Sequence, residues 1–372
     1  MPKADTNTGK IRVICTVTND LVFDQRMQRI GTSLQQNGYF VELVGRAWQD
    51  SPPVVTLPFL QTRLSCFFNK GFLFYAEYNI RLFFYLLLNT FDIVCGCDLD
   101  TLPAAWLAAR IKGRKVVYDA HEYFPESPEL IGRVLKQNIW YLIERWTVPR
   151  VDAMYTVTES IADIFRKKYN IPVRVVRNLP FSNAEMPAVN AERQLLYQGA
   201  VNIGRGLNEM LLVMLKLEQC HFLIAGDGDE MEHIRFSVQK LHLENKVKLM
   251  GKKTPAQLKK ITRNAYIGIN LLENRGLSYY YSLGNKTFDY IQAGIPQVMI
   301  GFPEYIALNE KYQVGIIVDE LSVEKIYHAI QRLLQDEELY RQLQQNCLKA
   351  RVSLCWENEV KHLLAVYKKL DS

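Results

Sequence analysis

A short segment, Tyr197–Gly206, places glycines and a cation where a strand-like run gives way to a helix-like one. Gly199 follows the run, and Arg205 and Gly206 precede a predicted helix that begins near Leu207. A glycine lets a ligand approach the backbone closely, and a helix N-terminus beside an arginine favours a phosphate or a diphosphate. The alternative is an ordinary strand–helix turn with a solvated arginine, and this segment alone does not decide between the two.

A second turn, Ser282–Asn285, leads into another predicted helix and contains Gly284. The free N–H groups at the start of such a helix can hold phosphate oxygens, and Lys286 adds a positive charge there. Asp289 lies one turn after Asn285 on the same face, where its carboxylate can accept two hydrogen bonds from a ribose diol. Because glycine and asparagine are poor helix formers, this start favours a ligand over the alternative of a solvated helix face.

A third glycine-bearing turn follows the strand-like run 221–225 and contains Gly226 and Gly228. This G-x-G is half of a dinucleotide fingerprint, and Met231 occupies the third glycine position, so a nicotinamide site is disfavoured. Glycines at the carboxyl end of a parallel strand mark the side of the sheet that binds ligands. An ordinary turn is the favoured alternative for this segment taken alone.

His121 and Glu122 follow the strand-like run Lys115–Tyr118, at the end of the strand where α/β proteins bind ligands. His121 can donate a hydrogen bond to a sugar hydroxyl or relay a proton, and the alternative is a packing histidine. Neighbouring runs end in acids that could line an acceptor cleft or cap helices: Asp20, Asp24, Asp98 and Asp100. Capping is the favoured reading for Asp100.

The segment Phe67–Asn89 is rich in aromatic residues, carries Lys70 and Arg81, and has Arg63 upstream. A basic, amphipathic aromatic helix can lie in a membrane interface, and the alternative is a helix buried between a sheet and its neighbours. No uncharged apolar run reaches about 18 residues, so a membrane-spanning helix is not expected.

The composition is that of a folded globular protein, with 48% hydrophobic and 23% charged residues among 372, and the net charge of +6 is too mild for a dedicated nucleic-acid binder. The seven cysteines are scattered and odd in number, which fits free thiols in a reducing cytoplasm. Cys95 and Cys97 lack a partner pair, so a zinc site is not expected. The length predicts two domains.

Strand-like runs alternate with helix-like segments on both sides of a polar linker, Phe181–Glu192, and this alternation predicts two α/β domains with parallel sheets. Predicted helices include Phe23–Asn37, Leu321–Gln335 and Glu337–Ala350, and Thr254 and Gln257 form a predicted capping box. The predicted strands are Ile11–Val17, Tyr39–Val44, Phe91–Cys95, Lys115–Tyr118, Ala153–Val157, Val173–Val176, Gln194–Tyr197, His221–Ala225, Lys246–Met250, Ala265–Leu271, Gln297–Ile300 and Val314–Val318.

Taken in order, these segments resemble the GT-B glycosyltransferases, in particular retaining enzymes similar to family 4. The most specific part is SLGNKTFDYIQAGIPQVMI, which is similar to the family pattern P-N-K-L-F-E-Y-x-A-x-G-x-P-V. Around it stand LLYQGAVNIGRGL, FLIAGDGDE, VKLMGKKTPAQL and AYIGINLL. The resemblance implies two Rossmann-like domains facing a cleft: residues 1–180 for the acceptor, 181–354 for the nucleotide sugar, and a helix in 355–372 that returns to the first domain.

The resemblance also implies roles for single residues. Asp289 stands where the family has a ribose-binding glutamate, whereas Tyr281 stands where another glutamate contacts the sugar, a loss for which Glu273 could compensate. Ala200 replaces the first cation of the family's diphosphate pair, and Lys286 could supply the missing charge. The implied catalytic residues are His121, Arg205 and Lys286. The implied donor-binding residues are Gly199, Arg205, Gly206, Gly226, Met250, Gly251, Ser282, Leu283, Gly284, Asn285, Lys286 and Asp289.

The implied function is transfer of a sugar from a nucleoside-diphosphate sugar, such as a UDP- or GDP-sugar, to a hydroxyl of a glycan or a lipid-linked acceptor. Transfer with retention, without a metal or a further cofactor, in surface polysaccharide or glycoconjugate synthesis is expected. The expected location is the cytoplasm, with peripheral membrane contact through residues 63–89 and no nucleic-acid partner. The alternatives are a sugar-nucleotide epimerase of the same fold and a non-catalytic binding protein.

Overall fold

The structure is a computed structural model that describes residues 9–22, 24–49, 51–188 and 193–371. Its contacts divide the chain into two compact units. The first falls within Met1–Arg177 and Val360–Ser372, and the second spans Asn178–Glu359. Each unit contains a parallel sheet with helices, which confirms the predicted α/β class with two Rossmann-like domains.

The sheet of the first unit consists of β1 (Arg12–Thr16), β2 (Phe40–Ala47), β3 (Leu60–Ser65), β4 (Ile93–Cys97), β5 (Lys115–Ala120), β6 (Ala153–Thr156) and β7 (Val173–Val175). Its strands are parallel and lie in the order β3-β2-β1-β4-β5-β6-β7. The helices between them are α1 (Gln25–Gln36), α2 (Gly71–Leu88), α3 (Leu102–Lys112), α4 (Val134–Thr147) and α5 (Glu159–Tyr169).

The sheet of the second unit consists of β8 (Gln194–Gln198), β9 (His221–Ala225), β10 (Val247–Leu249), β11 (Ile267–Asn270), β12 (Gln297–Ile300) and β13 (Gly315–Val318). These parallel strands lie in the order β10-β9-β8-β11-β12-β13. The helices are α6 (Leu207–Lys216), α7 (Met231–Lys240), α8 (Pro255–Arg263), α9 (Leu277–Tyr280), α10 (Asn285–Ala293), α11 (Pro303–Tyr312), α12 (Val323–Gln335), α13 (Glu337–Ser353) and α14 (Trp356–Tyr367). Residues of α14 fall on both sides of the division between the units.

The strand order of each sheet reverses once, and this reversal places the loops that matter for function. In the first unit it falls between β1 and β4, and in the second between β8 and β11. Loops that leave the carboxyl ends of two such strands diverge and leave a crevice in which α/β proteins bind ligands. The segment 199–206 follows β8, and the segment 98–100 follows β4, so both lie at a reversal.

The predicted elements agree with the structure except at a few places. The strand β3 was not predicted. The helix predicted as Phe23–Asn37 spans Gln25–Gln36, and Phe23 lies outside the described residues. The predicted capping box of Thr254 and Gln257 is confirmed. Residues 181–188 of the predicted linker form no helix or strand, and residues 189–192 lie outside the described residues. The division between the two units precedes the predicted linker, because the second unit begins at Asn178.

Helix α2 comes from the aromatic segment, and its two faces differ. Phe74, Tyr78, Leu82 and Leu86 are buried, and the Tyr78 hydroxyl donates a hydrogen bond to the Val17 carbonyl oxygen. The other face exposes further apolar side chains: Phe72, Leu73, Ile80, Phe84 and Leu88. One face of α2 is therefore buried, as the buried-helix alternative expects, and the opposite face is exposed. Among the described residues, no helix has both the length and the apolar character needed to cross a membrane.

Candidate functional site

Lys286 is a buried cation without a hydrogen-bond partner. It lies in the first turn of α10, whose N-cap Gly284 provides no side-chain cap. Its side chain is 8% exposed, and its Nζ lies 3.8 Å from the centroid of the Tyr197 ring with no hydrogen-bond partner. Burial, and then the positive charge of Arg205, lowers the pKa of Lys286 well below its usual range. An anion at this ammonium would restore the charged form.

Arg205 is the second cation at this site. It follows β8 in the loop before α6, and its guanidinium carbon lies 4.6 Å from the centroid of the Tyr279 ring. Its buried Nε has no hydrogen-bond partner. Within the described residues, neither Arg205 nor Lys286 forms an ion pair with a carboxylate, so aromatic faces hold both cations and leave their charge available to a ligand.

Glycines bring the loops of this site close together. Gly199 has a φ of 126°, and a Cβ built on it would lie 3.8 Å from Lys286 Cε. A Cβ at Gly226 would lie 1.8 Å from the Gly199 carbonyl oxygen, and a Cβ at Gly206 would lie 2.6 Å from Leu271 Cβ. No side chain fits at Gly226 or Gly206, so packing between loops explains these glycines and brings the loop after β9 against the one after β8.

Asp289 lies on α10, one turn after Asn285, and is held by a short chain of hydrogen bonds. The Gln198 amide donates to Asp289 Oδ2 at 2.7 Å, and the Thr262 hydroxyl donates to Gln198 Oε1 at 2.6 Å. Gln198 is buried at the end of β8, whereas Asp289 is half-buried and Asn285 is exposed. The carboxylate is therefore oriented by the sheet and still reaches solvent.

The residues that depart from the family pattern occupy nearby positions with their own partners. Ala200 accepts a hydrogen bond from the Tyr197 hydroxyl at 2.6 Å through its carbonyl oxygen. Tyr281 is the C-cap residue of α9 and packs its ring against Tyr280. Glu273 forms an ion pair with Arg275, and its N–H donates to the Gly204 carbonyl oxygen in the loop that carries Arg205.

The remaining predicted donor-binding residues lie around the same edge of the second sheet. The Gly284 N–H donates to the Tyr305 hydroxyl at 3.0 Å, and the Ser282 hydroxyl donates to the Tyr279 carbonyl oxygen at 2.8 Å. Leu283 packs partly buried against the core of the second unit. Met250 follows β10, and Gly251, with a φ of 66°, has open space where a Cβ would stand.

His121 belongs to the first unit, where its ring lies between two carboxylates. Nδ1 is 3.2 Å from Asp98 Oδ2, and Nε2 is 3.1 Å from Asp119 Oδ2. Burial disfavours the imidazolium, but the charges of Asp98 and Asp119 outweigh it and raise the pKa of His121 well above its usual range. Both ring nitrogens are engaged by carboxylates, so the predicted donation to a sugar hydroxyl requires one of them to be released.

Asp119 joins this cluster to Arg26. The Arg26 guanidinium donates to both oxygens of Asp119, with its Nη2 2.8 Å from Oδ1 and its Nε 3.2 Å from Oδ2. Burial opposes ionisation of Asp119, but Arg26 and His121 outweigh it and lower its pKa to about 2. The buried charges of this cluster are therefore compensated within the protein.

The acids that follow β1 and β4 are engaged in different ways. The prediction that Asp100 caps a helix is wrong, because Thr101 is the N-cap of α3 and Asp100 instead accepts a hydrogen bond from the Thr18 hydroxyl at 2.7 Å. Burial, and then the charge of Asp98, raises the pKa of Asp100 to about 7. Asp24 caps α1 through the Met27 N–H, and Asp20 forms an ion pair with Arg63.

Three residues of the second unit were given no role in the predicted site: Tyr197, Tyr279 and Gln198. Two of them, Tyr197 and Gln198, form the end of β8 directly before Gly199, a position that could have marked them. Tyr279 lies in the Tyr-rich stretch 279–281, which carries no local signal of cation binding. The site as a whole combines two unneutralised cations, a helix start and an oriented carboxylate, an arrangement suited to a diphosphate and an attached diol.

Two family models match consecutive parts of the chain. Residues 25–179 match Glycosyltransferase Family 4, and residues 182–350 match Glycosyl transferases group 1. Among curated proteins, the chain is similar to the alpha-D-kanosaminyltransferase of Streptomyces kanamyceticus, with 24% identity over 264 residues that cover 65% of this chain and 67% of that protein.

Two solved structures share the fold over almost the whole chain. Sucrose-phosphate synthase from Thermosynechococcus elongatus covers 97% of this chain and 99% of its own, with a TM-score of 0.81 and 15% identity. Anabaena HepE in complex with UDP and glucose covers 97% of this chain and 100% of its own, with a TM-score of 0.76 and 12% identity. At such identities the likeness establishes the fold alone.

Proposed function

Because the chain belongs to the GT-B glycosyltransferases similar to family 4, we propose that it transfers a sugar from a nucleoside-diphosphate sugar to a hydroxyl acceptor with retention and without a metal. The observation that carries the proposal is the buried, unpartnered ammonium of Lys286 beside Arg205. A buried ammonium without a partner is costly, and a diphosphate is the ligand that would offset that cost.

Departure of the nucleoside diphosphate needs stabilisation of its negative charge and of an oxocarbenium-like sugar. Lys286, Arg205 and the start of α10 supply fixed positive charge and N–H dipoles, and Asp289 holds the ribose diol. We assign Gly199, Gly206, Gly226 and the segment 282–285 to the walls of the donor pocket, with Met250 and Gly251 at the nucleobase. The donor phosphate then takes the proton of the attacking hydroxyl.

We propose that His121 donates a hydrogen bond to a sugar hydroxyl, which requires one of its ring nitrogens to be released by its carboxylate. Its two carboxylate contacts favour the imidazolium, which can stabilise negative charge but cannot act as a base. Metal independence is proposed because the acids with D-x-D spacing, Asp98 and Asp100, are already engaged by His121 and Thr18.

We place the acceptor among glycans or lipid-linked glycans of a cell-surface polysaccharide or glycoconjugate, at the cytoplasmic face of a membrane. The free thiols of the described cysteines suit a reducing compartment. We propose residues 63–89 as one membrane contact. Of the three cations in this segment, Arg63 forms an ion pair with Asp20 and Arg81 forms one with Glu77.

The test is a panel of UDP- and GDP-sugars, assayed for nucleoside-diphosphate release with and without glycan and lipid-linked acceptors. We expect release from one donor class, an unchanged rate after EDTA treatment, and a product whose anomeric configuration by NMR equals that of the donor. The Lys286→Met variant, which we expect to be inactive, is the negative control. A panel without binding or turnover would contradict the proposal, and epimerised donor without transfer would favour the epimerase alternative.

A further inference from the structure

Helix α4 of the first unit carries an apolar stripe on its exposed side. Leu135, Ile139, Leu142 and Trp146 recur at spacings of three or four residues, which puts them on one face of a helix. All four are exposed, and Leu135 and Leu142 reach 76% and 68%. The side of α4 that packs against the protein buries Glu144 and Thr147 and sets the rings of Trp140 and Tyr141 against Phe124 and Tyr123, so the stripe lies on a separate, outward face.

The neighbouring surface extends this stripe. Helix α3 packs against α4, with the rings of Trp106 and Trp146 4.4 Å apart, and it exposes Leu107 and Ile111 one turn from each other. Val134, in the first turn of α4, is also exposed. An exposed apolar surface shared by two helices is typical of an interaction site rather than of scattered surface hydrophobics.

The charges around the stripe have a single sign. Arg133, Lys136, Arg145 and Arg150 are exposed between residues 131 and 150, and the one carboxylate of that segment, Glu144, is buried against Lys168. Within the described residues, none of these four cations forms an ion pair. By contrast, α2 pairs its Arg81 with Glu77.

This combination of apolar residues and unpaired cations suits an anionic lipid surface. Apolar side chains enter the boundary between headgroups and acyl chains, and long cationic side chains reach the phosphates beside them. A second copy of the chain fits less well, because a two-fold contact through the stripe would set like charges against each other.

We propose that α4, with the adjoining residues of α3, docks the protein onto an anionic membrane surface. The contact surface consists of Leu135, Ile139, Leu142 and Trp146, flanked by Arg133, Lys136 and Arg145. The inference rests on the proposed function only in one respect, namely that a lipid-linked acceptor would lie in the membrane to which α4 docks. Docking itself does not require the sugar donor.

The experiment is co-sedimentation of the full chain with phosphatidylcholine vesicles and with vesicles containing phosphatidylglycerol, at low and high salt. We expect salt-sensitive binding to the anionic vesicles. Leu135→Gln/Leu142→Gln should weaken it roughly tenfold or more, and Arg133→Gln/Lys136→Gln should weaken it by roughly fivefold for each cation removed. Leu212→Gln/Leu215→Gln is the matched control, since it alters two exposed leucines of α6 in the second unit.

Ile80→Gln/Phe84→Gln tests the exposed face of α2 in the same assay, and binding of UDP and GDP in solution reports separately on the donor site. Loss of vesicle binding in the α2 variant with retention in the α4 variants would overturn the proposal. So would equal or no binding to both vesicle types, or α4 variants that change only self-association in sedimentation equilibrium. Vesicle binding without binding of either UDP or GDP would contradict the proposed function and leave docking intact.

Discussion

In the first unit, the Arg26 guanidinium lies against both oxygens of Asp119, and His121 lies between Asp119 and Asp98. In the second unit, Lys286 and Arg205 lie against tyrosine rings, and each leaves a buried nitrogen without a hydrogen-bond partner. Asp98 and His121 directly follow β4 and β5, and Arg205 lies in the loop after β8, so both clusters lie at the carboxyl ends of parallel strands. The same position in the fold thus holds a compensated charge network in one unit and an uncompensated one in the other.

The difference separates charge that maintains the fold from charge that binds a ligand. A buried charge with a partner is required for stability, because removal of the partner leaves the charge uncompensated. A buried charge held by an aromatic ring costs stability in the free protein and gains a partner only when an anion binds. Substitutions in the two clusters should therefore have opposite effects on stability and on nucleotide affinity.

Asp119→Asn should produce the largest effect. The substitution leaves the buried guanidinium of Arg26 without a carboxylate, and we expect the free energy of unfolding to fall by about 3–5 kcal/mol. Urea denaturation followed by circular dichroism measures the change. UDP affinity of the folded variant should equal that of the wild type, because Asp119 belongs to the first unit.

Asp92→Asn is the matched control for that substitution. Asp92 pairs with Arg114 at 3.0 Å where both side chains are exposed, and exposed pairs contribute about 0–1 kcal/mol. Equal destabilisation by the two variants would mean that the buried network does not maintain the first unit, and the comparison between the units would fail.

Lys286→Met should have the opposite profile. The variant removes a buried ammonium that lacks a partner, so its stability to urea should equal or exceed that of the wild type. Its affinity for UDP, measured by titration calorimetry, should fall roughly 10- to 100-fold, which corresponds to about 1.5–3 kcal/mol for contacts to a charged group. Lys260→Met changes an exposed lysine of α8 and should alter neither quantity. Retained affinity with lost stability would assign Lys286 to the fold.

Strands with a continuous buried run were predictable, and the strand that was missed, β3, lacks such a run. Ile11–Val17 and Ala265–Leu271 are apolar because parallel strands are covered on both faces, and both contain observed strands. Strand β3 reads LQTRLS, is half-buried and lies at the sheet edge, so it lacks that signal.

The candidate site was predictable as a set of positions but not as a set of contacts. The motifs around Arg205 and Lys286 indicated two cations near a helix start, since local glycine and helix signals mark such places. The contact of His121 with Asp98 and the hydrogen bond from Gln198 to Asp289 join residues that are distant in sequence and meet only in the folded units. Asp100 was assigned to a cap because its hydroxyl partner, Thr18, is distant in sequence.

The pH dependence of nucleotide binding sharpens the comparison further. The pKa of Lys286 is low in the free protein and should rise when a diphosphate pairs with it, so binding takes up a proton between those two pKa values. In that range UDP affinity should fall as the pH rises, by up to about tenfold per pH unit. Lys286→Arg keeps its charge at all these pH values and should remove the dependence. Calorimetry in buffers of different ionisation enthalpy measures the proton uptake, and its absence would show that Lys286 is already charged.

The smallest expected effect concerns the aromatic ring that holds Arg205. Tyr279→Leu removes the π face 4.6 Å from the guanidinium carbon, and UDP affinity should fall roughly three- to fivefold, about 0.5–1 kcal/mol for a partly exposed cation–π contact. Tyr279→Phe keeps the face without the hydroxyl and should bind UDP like the wild type, which separates the ring from the hydroxyl. A loss in the Phe variant equal to that in the Leu variant would assign the effect to the hydroxyl. A ring positions a cation without neutralising it, so rescue by Phe would explain how the second unit leaves the positive charge of Arg205 available to an anion. In the cluster of Arg26, Asp119 and His121 in the first unit, by contrast, carboxylates neutralise the cations.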